Sequence, residues 1–163
     1  MVNILFCGND KVFDGMLTCA LSIFKRSASC EPYTFYIYTM DATHLKADYR
    51  PISDRQIAFF EQIIREYDPR NRAILVDVSD MYLREFGDCP NEDAYCSPYT
   101  LIRLLADLVE DMPDKLLYLD VDILFNRDIH LLYDIDVSDV EYAAARDHYG
   151  KYLIGRNYIN AGV

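Results

Sequence analysis

Apolar and polar positions alternate between two rhythms along this chain. Val2 to Cys7 is a short continuous apolar run, the mark of a strand buried on both faces. Gly8, Asn9, Asp10 and Lys11 break it as a loop. From Phe13 to Lys25 the apolar positions fall at Phe13, Met16, Leu17, Ala20, Leu21 and Phe24, which is helical spacing. Tyr33 to Met40 is aromatic and β-branched and predicts a second strand. Ser53 to Gln56 has the form of a capping box. The helix it opens places Ile57, Phe60, Ile63, Ile64 and Tyr67 on one face and ends at Asp68-Pro69. Ala73 to Val78 predicts a third strand, and Asp80 to Phe86 a short helix. Gly87 to Asp93 is a polar loop. Pro98 opens a predicted helix to about Val109, with Leu101, Leu104, Leu105 and Leu108 inward.

The next stretch organises the rest. Lys115 to Phe125 reads KLLYLDVDILF. Leu116 to Leu119 predicts a buried strand ending in Asp120-Val121-Asp122, with apolar character resuming at Ile123, Leu124 and Phe125. Side chains two apart on a strand share a face, so the two carboxylates point the same way. Two like charges at the end of a buried strand repel and lose hydration unless a cation lies between them. Hard oxygen donors suit magnesium, calcium or manganese better than zinc. The plainer reading is a strand end whose aspartates cap a turn. After a turn at Asn126 to Asp128, Leu131 to Tyr133 is expected to pack again. Glu141 to Arg146 predicts a further strand, and Tyr152 to Val163 an irregular or extended segment.

Strands alternating with helices predict an α/β domain with a mostly parallel sheet. In such sheets ligands sit beyond the carboxyl ends of the strands, at a switch point. Asn9, Asp10 and Lys11 follow one strand and the acidic pair closes another, so both belong to one rim. The length of 163 residues suits one domain, 1–163, with a sizeable core. A net charge of -11 argues against a nucleic-acid or anionic-membrane surface, although a cation can screen acidic residues from phosphate. The five cysteines show no CxxC spacing, and free thiols in a reducing, cytoplasmic setting are the simplest account. No apolar run approaches the roughly 20 residues that span a bilayer. His44, His130 and His148 are the only histidines, and His148 is a weak candidate to approach a metal.

Three segments together, NILFCGNDKVF at 3 to 13, YLDVDILF at 118 to 125 and YINAGV at 158 to 163, resemble the retaining glycosyltransferases of family 8. That family includes bacterial lipooligosaccharide galactosyltransferases and glycogenin. The resemblance implies a GT-A fold, a Rossmann-like nucleotide-diphospho-sugar sheet with flanking helices. It implies that Asp120 and Asp122 hold Mn2+ (or Mg2+) against the diphosphate of UDP-glucose or UDP-galactose. Asn9 matches the position that meets uracil, with Asp10 and Lys11 beside it and Lys11 near the ribose. Val121 would present its backbone to the ribose, and Arg103 would lie near the phosphates and the sugar. Asp147 would contact the sugar hydroxyls with Arg103 in the reacting part, and Asn160 would reach the same sugar. Asn9 stands where aspartate is frequent in relatives.

The resemblance further implies transfer of hexose to a saccharide or glycolipid acceptor, with retention, in bacterial surface or capsular polysaccharide or lipopolysaccharide synthesis. The chain is expected to be the N-terminal, nucleotide-binding part of a longer protein that supplies a histidine ligand and any peripheral attachment to the inner membrane. Alone it is expected to bind UDP weakly, transfer poorly and self-associate through apolar surface near Tyr152 to Val163. Two other readings stay open: a nucleotide- and metal-binding module without transfer activity, and an α/β phosphohydrolase. The second lacks a nucleophilic aspartate with a lysine partner at convincing spacing.

Overall fold

A computed structural model describes residues 1–87, 89 and 97–145. Asp147, His148, Asn160 and the segment from Tyr152 to Val163 lie outside the described residues. The chain divides into two compact units, Met1–Tyr133 and Asp134–Val163.

The first unit is built on four strands. β1 (Val2–Cys7), β2 (Tyr33–Thr39) and β3 (Arg72–Asp77) pair in parallel, and β4 (Leu117–Tyr118) pairs in parallel with the other edge of β1. The strand order is β3-β2-β1-β4. The chain therefore steps outward from β1 to β3 and returns to the far side of β1. That return makes a switch point between the carboxyl ends of β1 and β4.

Alternation along the strands divides the core in two. Val2, Ile4, Phe6, Tyr33, Phe35 and Ile37 pack beneath α1 (Phe13–Arg26) and α2 (Asp54–Tyr67). Leu5, Tyr38 and Met40 pack on the opposite face with Tyr82 of α3 (Ser79–Phe86) and with Tyr99, Ile102 and Leu105. Burial on both faces is why β1 and β2 read as unbroken apolar runs. The capping box forms in full: Ser53 accepts from the Gln56 N–H, and the Gln56 side chain accepts from the Ser53 N–H. Buried Asn71 accepts from the Tyr33 N–H at 2.8 Å and donates to the Ile64 carbonyl at 2.8 Å, joining the end of α2 to the start of β2.

Four expectations are corrected. No α-helix runs from Pro98 to Val109; two short 3-10 turns, Pro98–Thr100 and Ile102–Leu105, stand there. At three residues per turn, Tyr99, Ile102 and Leu105 share the inner face, while Leu104 and Leu108 are exposed. β4 is two residues long, and Ile123 and Leu124 beyond the acidic pair face outward, so the pair does not interrupt a core strand. Leu131 and Leu132 are exposed; of that segment only Tyr133 packs as expected, and Ile129 packs inward just before α4 (His130–Tyr133). Residues 141–145 of the second unit are exposed and form no strand. In that unit Ser138 N–H donates to Asp136 and Val140 N–H to the Val137 carbonyl, a pair of tight turns. No described helix is long and apolar enough to cross a membrane.

Candidate functional site

The rim at the β1–β4 switch point carries a cavity of about 260 Å3. Its lining includes Asn9 from the end of β1, Arg103 from the second 3-10 turn, and Asp120, Val121 and Asp122 from the end of β4. Strand register brings them together: Leu5 lies opposite Tyr118, so the residues following each strand leave the sheet side by side. The Leu119 N–H donates to the Leu5 carbonyl and extends the pairing to the doorstep of Asp120.

A second constraint acts on the acidic turn from α1. Beyond β4 the chain is laid along that helix. A Cβ at Gly15 would lie 2.8 Å from the Val121 carbonyl oxygen, which is too close for any side chain. The Phe125 N–H donates to Ser22 Oγ at 2.9 Å, and the Ala28 N–H to Asp128 at 2.8 Å. Gly15, Ser22 and Ala28 follow one another from the start of α1 to just past its end. Sequence reading missed Gly15, although a glycine inside a helical pattern costs about 1 kcal/mol against alanine and so marks a packing demand. Gly15→Ala is expected to gain helix propensity yet push Val121 and its two neighbouring carboxylates outward. Cation affinity should fall about tenfold or more while helicity by circular dichroism is kept. Unchanged cation affinity by calorimetry would show that the close approach has no role in the site.

The charged groups touch one another. Arg103 Nη2 stands 3.5 Å from Asp120 Oδ1, and its Nε donates to the Thr100 carbonyl at 2.8 Å. Its guanidinium carbon lies 4.2 Å from the centre of the Tyr118 ring. The Tyr118 hydroxyl donates to Asp120 Oδ1. Asp120 is open to water, its side chain 56% exposed, and Asp122 is exposed too. The buried like-charge repulsion expected from an apolar strand is therefore largely relieved by solvent. Burial pushes the Cys7 thiol up to about 12, against the pull of Arg103, so this cavity wall is an inert thiol. Burial likewise raises the Tyr118 phenol, helped by its hydrogen bond to Asp120 and opposed by Arg103.

Asn9 is 6% exposed, and its Oδ1 accepts from the Lys11 N–H at 3.2 Å, capping the 3-10 turn Asp10–Val12. Asp10 and Lys11 are not among the described residues lining the cavity. Lys11 pairs with Asp48 on the surface, and one Asp10 carboxylate oxygen is buried without a hydrogen-bond partner. Asp147 and Asn160 lie outside the described residues.

The oxygen donors fit a hard divalent cation. Two carboxylates line one cavity, and among the described residues no group of three or more acidic, histidine or cysteine side chains is arranged to hold a metal. One or two carboxylates completed by phosphate and water is the usual arrangement for magnesium-like ions at phosphate sites.

A mostly parallel four-stranded sheet flanked by helices is a GT-A-type fold. The galactosyltransferase LgtC, solved in complex with donor and acceptor sugar analogues, shares it. That structure matches with a TM-score of 0.63 at 22% identity, over 85% of this chain and 44% of LgtC. The bifunctional glycosyltransferase WbbM matches with a TM-score of 0.57 at 17% identity, over 84% of this chain and 21% of WbbM. The glycosyltransferase GlyA of Streptococcus pneumoniae serotype 4 (strain ATCC BAA-334 / TIGR4) is 39% identical over 59 residues, 36% of this chain. The chain spans 8% of GlyA's length and under half of LgtC's. The model of glycosyl transferase family 8 matches residues 3–160, and the chain belongs to that family.

Proposed function

We propose that this chain is the donor-binding part of a glycosyltransferase that moves a hexose from UDP-glucose or UDP-galactose to a saccharide or glycolipid acceptor, with retention. One observation carries the reading: in a family 8 chain, Asn9, Arg103, Asp120 and Asp122 converge on one cavity at the switch point of a parallel sheet. Asp120 and Asp122 would hold Mn2+ or Mg2+. The ion, when bound, supplies positive charge to the leaving diphosphate. Arg103 binds the same phosphates with a planar fork and stabilises the charge left on them as the sugar departs. The Arg103–Asp120 pair is long and partly exposed, a class worth about 0–1 kcal/mol, so turning Arg103 toward phosphate costs little. Tyr99 and Val12 line the same cavity and limit how much water shares it with the ligand. The Asn9 amide offers polar contact to a pyrimidine edge. Asp147 and Asn160 are proposed to contact the donor sugar.

Competition calorimetry in the presence of Mn2+ tests this reading. UDP-glucose or UDP-galactose should bind at least about tenfold tighter than GDP-mannose, a difference of about 1.4 kcal/mol. Chelation of the cation should weaken UDP-sugar binding. A transfer assay with both donors, with and without a saccharide acceptor, then separates transferase from binding module. Equal affinity for the guanosine sugar, or indifference to chelation, would overturn the reading.

A further inference from the structure

We propose that Tyr118 is a positioning residue that sets the spacing between the cation-binding and anion-binding halves of the site. The inference rests on the donor-binding reading above. Tyr118 stands on β4 directly opposite Leu5, so its backbone is held by the sheet rather than by a loop. Its side chain is half-buried against the core cluster of Leu5, Tyr38 and Ile102. From that fixed base it touches both functional charges. Its hydroxyl donates to Asp120 Oδ1, and its ring lies beneath the Arg103 guanidinium at 4.2 Å.

The two contacts do different things. The hydroxyl bond selects one rotation of the Asp120 carboxylate and occupies one lone pair of Oδ1, leaving Oδ2 free to serve as ligand. Outer partners of this kind typically hold about 10–100-fold in metal affinity. The ring face attracts the guanidinium electrostatically and keeps it flat over the rim. The Thr100 carbonyl fixes the other edge of Arg103 at 2.8 Å. Asp120 and Arg103 are thereby held 3.5 Å apart as neighbours that can each turn to a ligand.

The two roles separate by substitution. Tyr118→Phe keeps the ring and loses the hydroxyl; Tyr118→Leu loses both. Mn2+ uptake is read in the presence of UDP from the loss of the free-ion electron paramagnetic resonance signal. UDP binding is read separately by calorimetry in EDTA, where only the anion-binding half acts. Tyr118→Phe should lower Mn2+ affinity about tenfold or more, with UDP affinity in EDTA and the urea unfolding midpoint kept. Tyr118→Leu should lower both affinities. Wild-type Mn2+ affinity in Tyr118→Phe, with normal uptake by the wild-type chain, overturns this inference alone. A wild-type chain that takes up no Mn2+ with UDP overturns the donor-binding reading and this inference with it.

Discussion

Replacing Asp120 and Asp122 together with alanine is expected to abolish cation-dependent UDP binding and to leave the fold standing. Both carboxylates line the switch-point cavity, and among the described residues no third ligand of their kind joins them. Nothing described nearby could take over the ion. The loss should exceed the roughly 10–100-fold that removal of an outer partner costs, because the ligands themselves are gone. Stability should hardly move. The apolar run around the pair suggested buried charges whose removal would stabilise, but Asp120 is 56% exposed and water already screens it. Arg103 loses its carboxylate partner in this variant, so UDP affinity in EDTA should be kept or rise. Calorimetry with UDP, in Mn2+ and in EDTA, together with urea unfolding, checks each part. Cation-dependent UDP binding that survives in the double variant would place the ion elsewhere.

Phe35→Ala is expected to cost about 3–5 kcal/mol of folding stability. Phe35 is fully buried at the middle of β2, an inner strand of the sheet. Its ring stacks on Phe6 with centroids 6.0 Å apart and meets Phe60 edge-on at 5.3 Å. Phe24 of α1 lies edge-on at 6.1 Å. Truncation therefore leaves a cavity where β1, β2, α1 and α2 meet, and close-packed interiors refill such holes only in part. Domains of this kind are stable by about 5–15 kcal/mol in total, so the variant gives up about a fifth or more of its margin. Urea unfolding at constant slope measures it. A loss below about 1 kcal/mol would mean that the two helices do not bear on this residue as described. Under conditions that keep the variant folded, Mn2+ and UDP affinities should match the wild type, since Phe35 does not line the cavity.

These two variants divide what could be read from the chain before its structure. Val2–Cys7 emerges as a strand with the boundaries its apolar run implies, and Ser53 to Gln56 caps α2 as its residues imply. Both are local: one rests on which side chains survive burial on two faces, the other on a hydrogen bond within four residues. The acidic pair was legible because DVD follows an apolar run ending at a rim. Asn9 and Arg103 were legible through the family resemblance rather than through spacing.

The same local reading failed at Pro98 to Val109. Leucines at 101, 104, 105 and 108 fit a 3.6-residue period, yet the chain there turns at three residues per turn and buries Tyr99, Ile102 and Leu105. Which period wins depends on the surface offered by Leu5, Tyr38 and Tyr82, and that surface comes from distant residues. Gly15 is the sharper case. Nothing within several residues explains it; the Val121 carbonyl does, more than 100 positions along the chain. Likewise, that Tyr118 would carry Arg103 on its ring and Asp120 on its hydroxyl depends on β4 pairing with β1. Side-chain period and hydrogen-bonding type are properties of neighbouring residues, so the strands, the caps and the acidic rim are written locally. The distances between charges at the site are set by strand pairing and helix packing across the chain, and only the folded structure decides them.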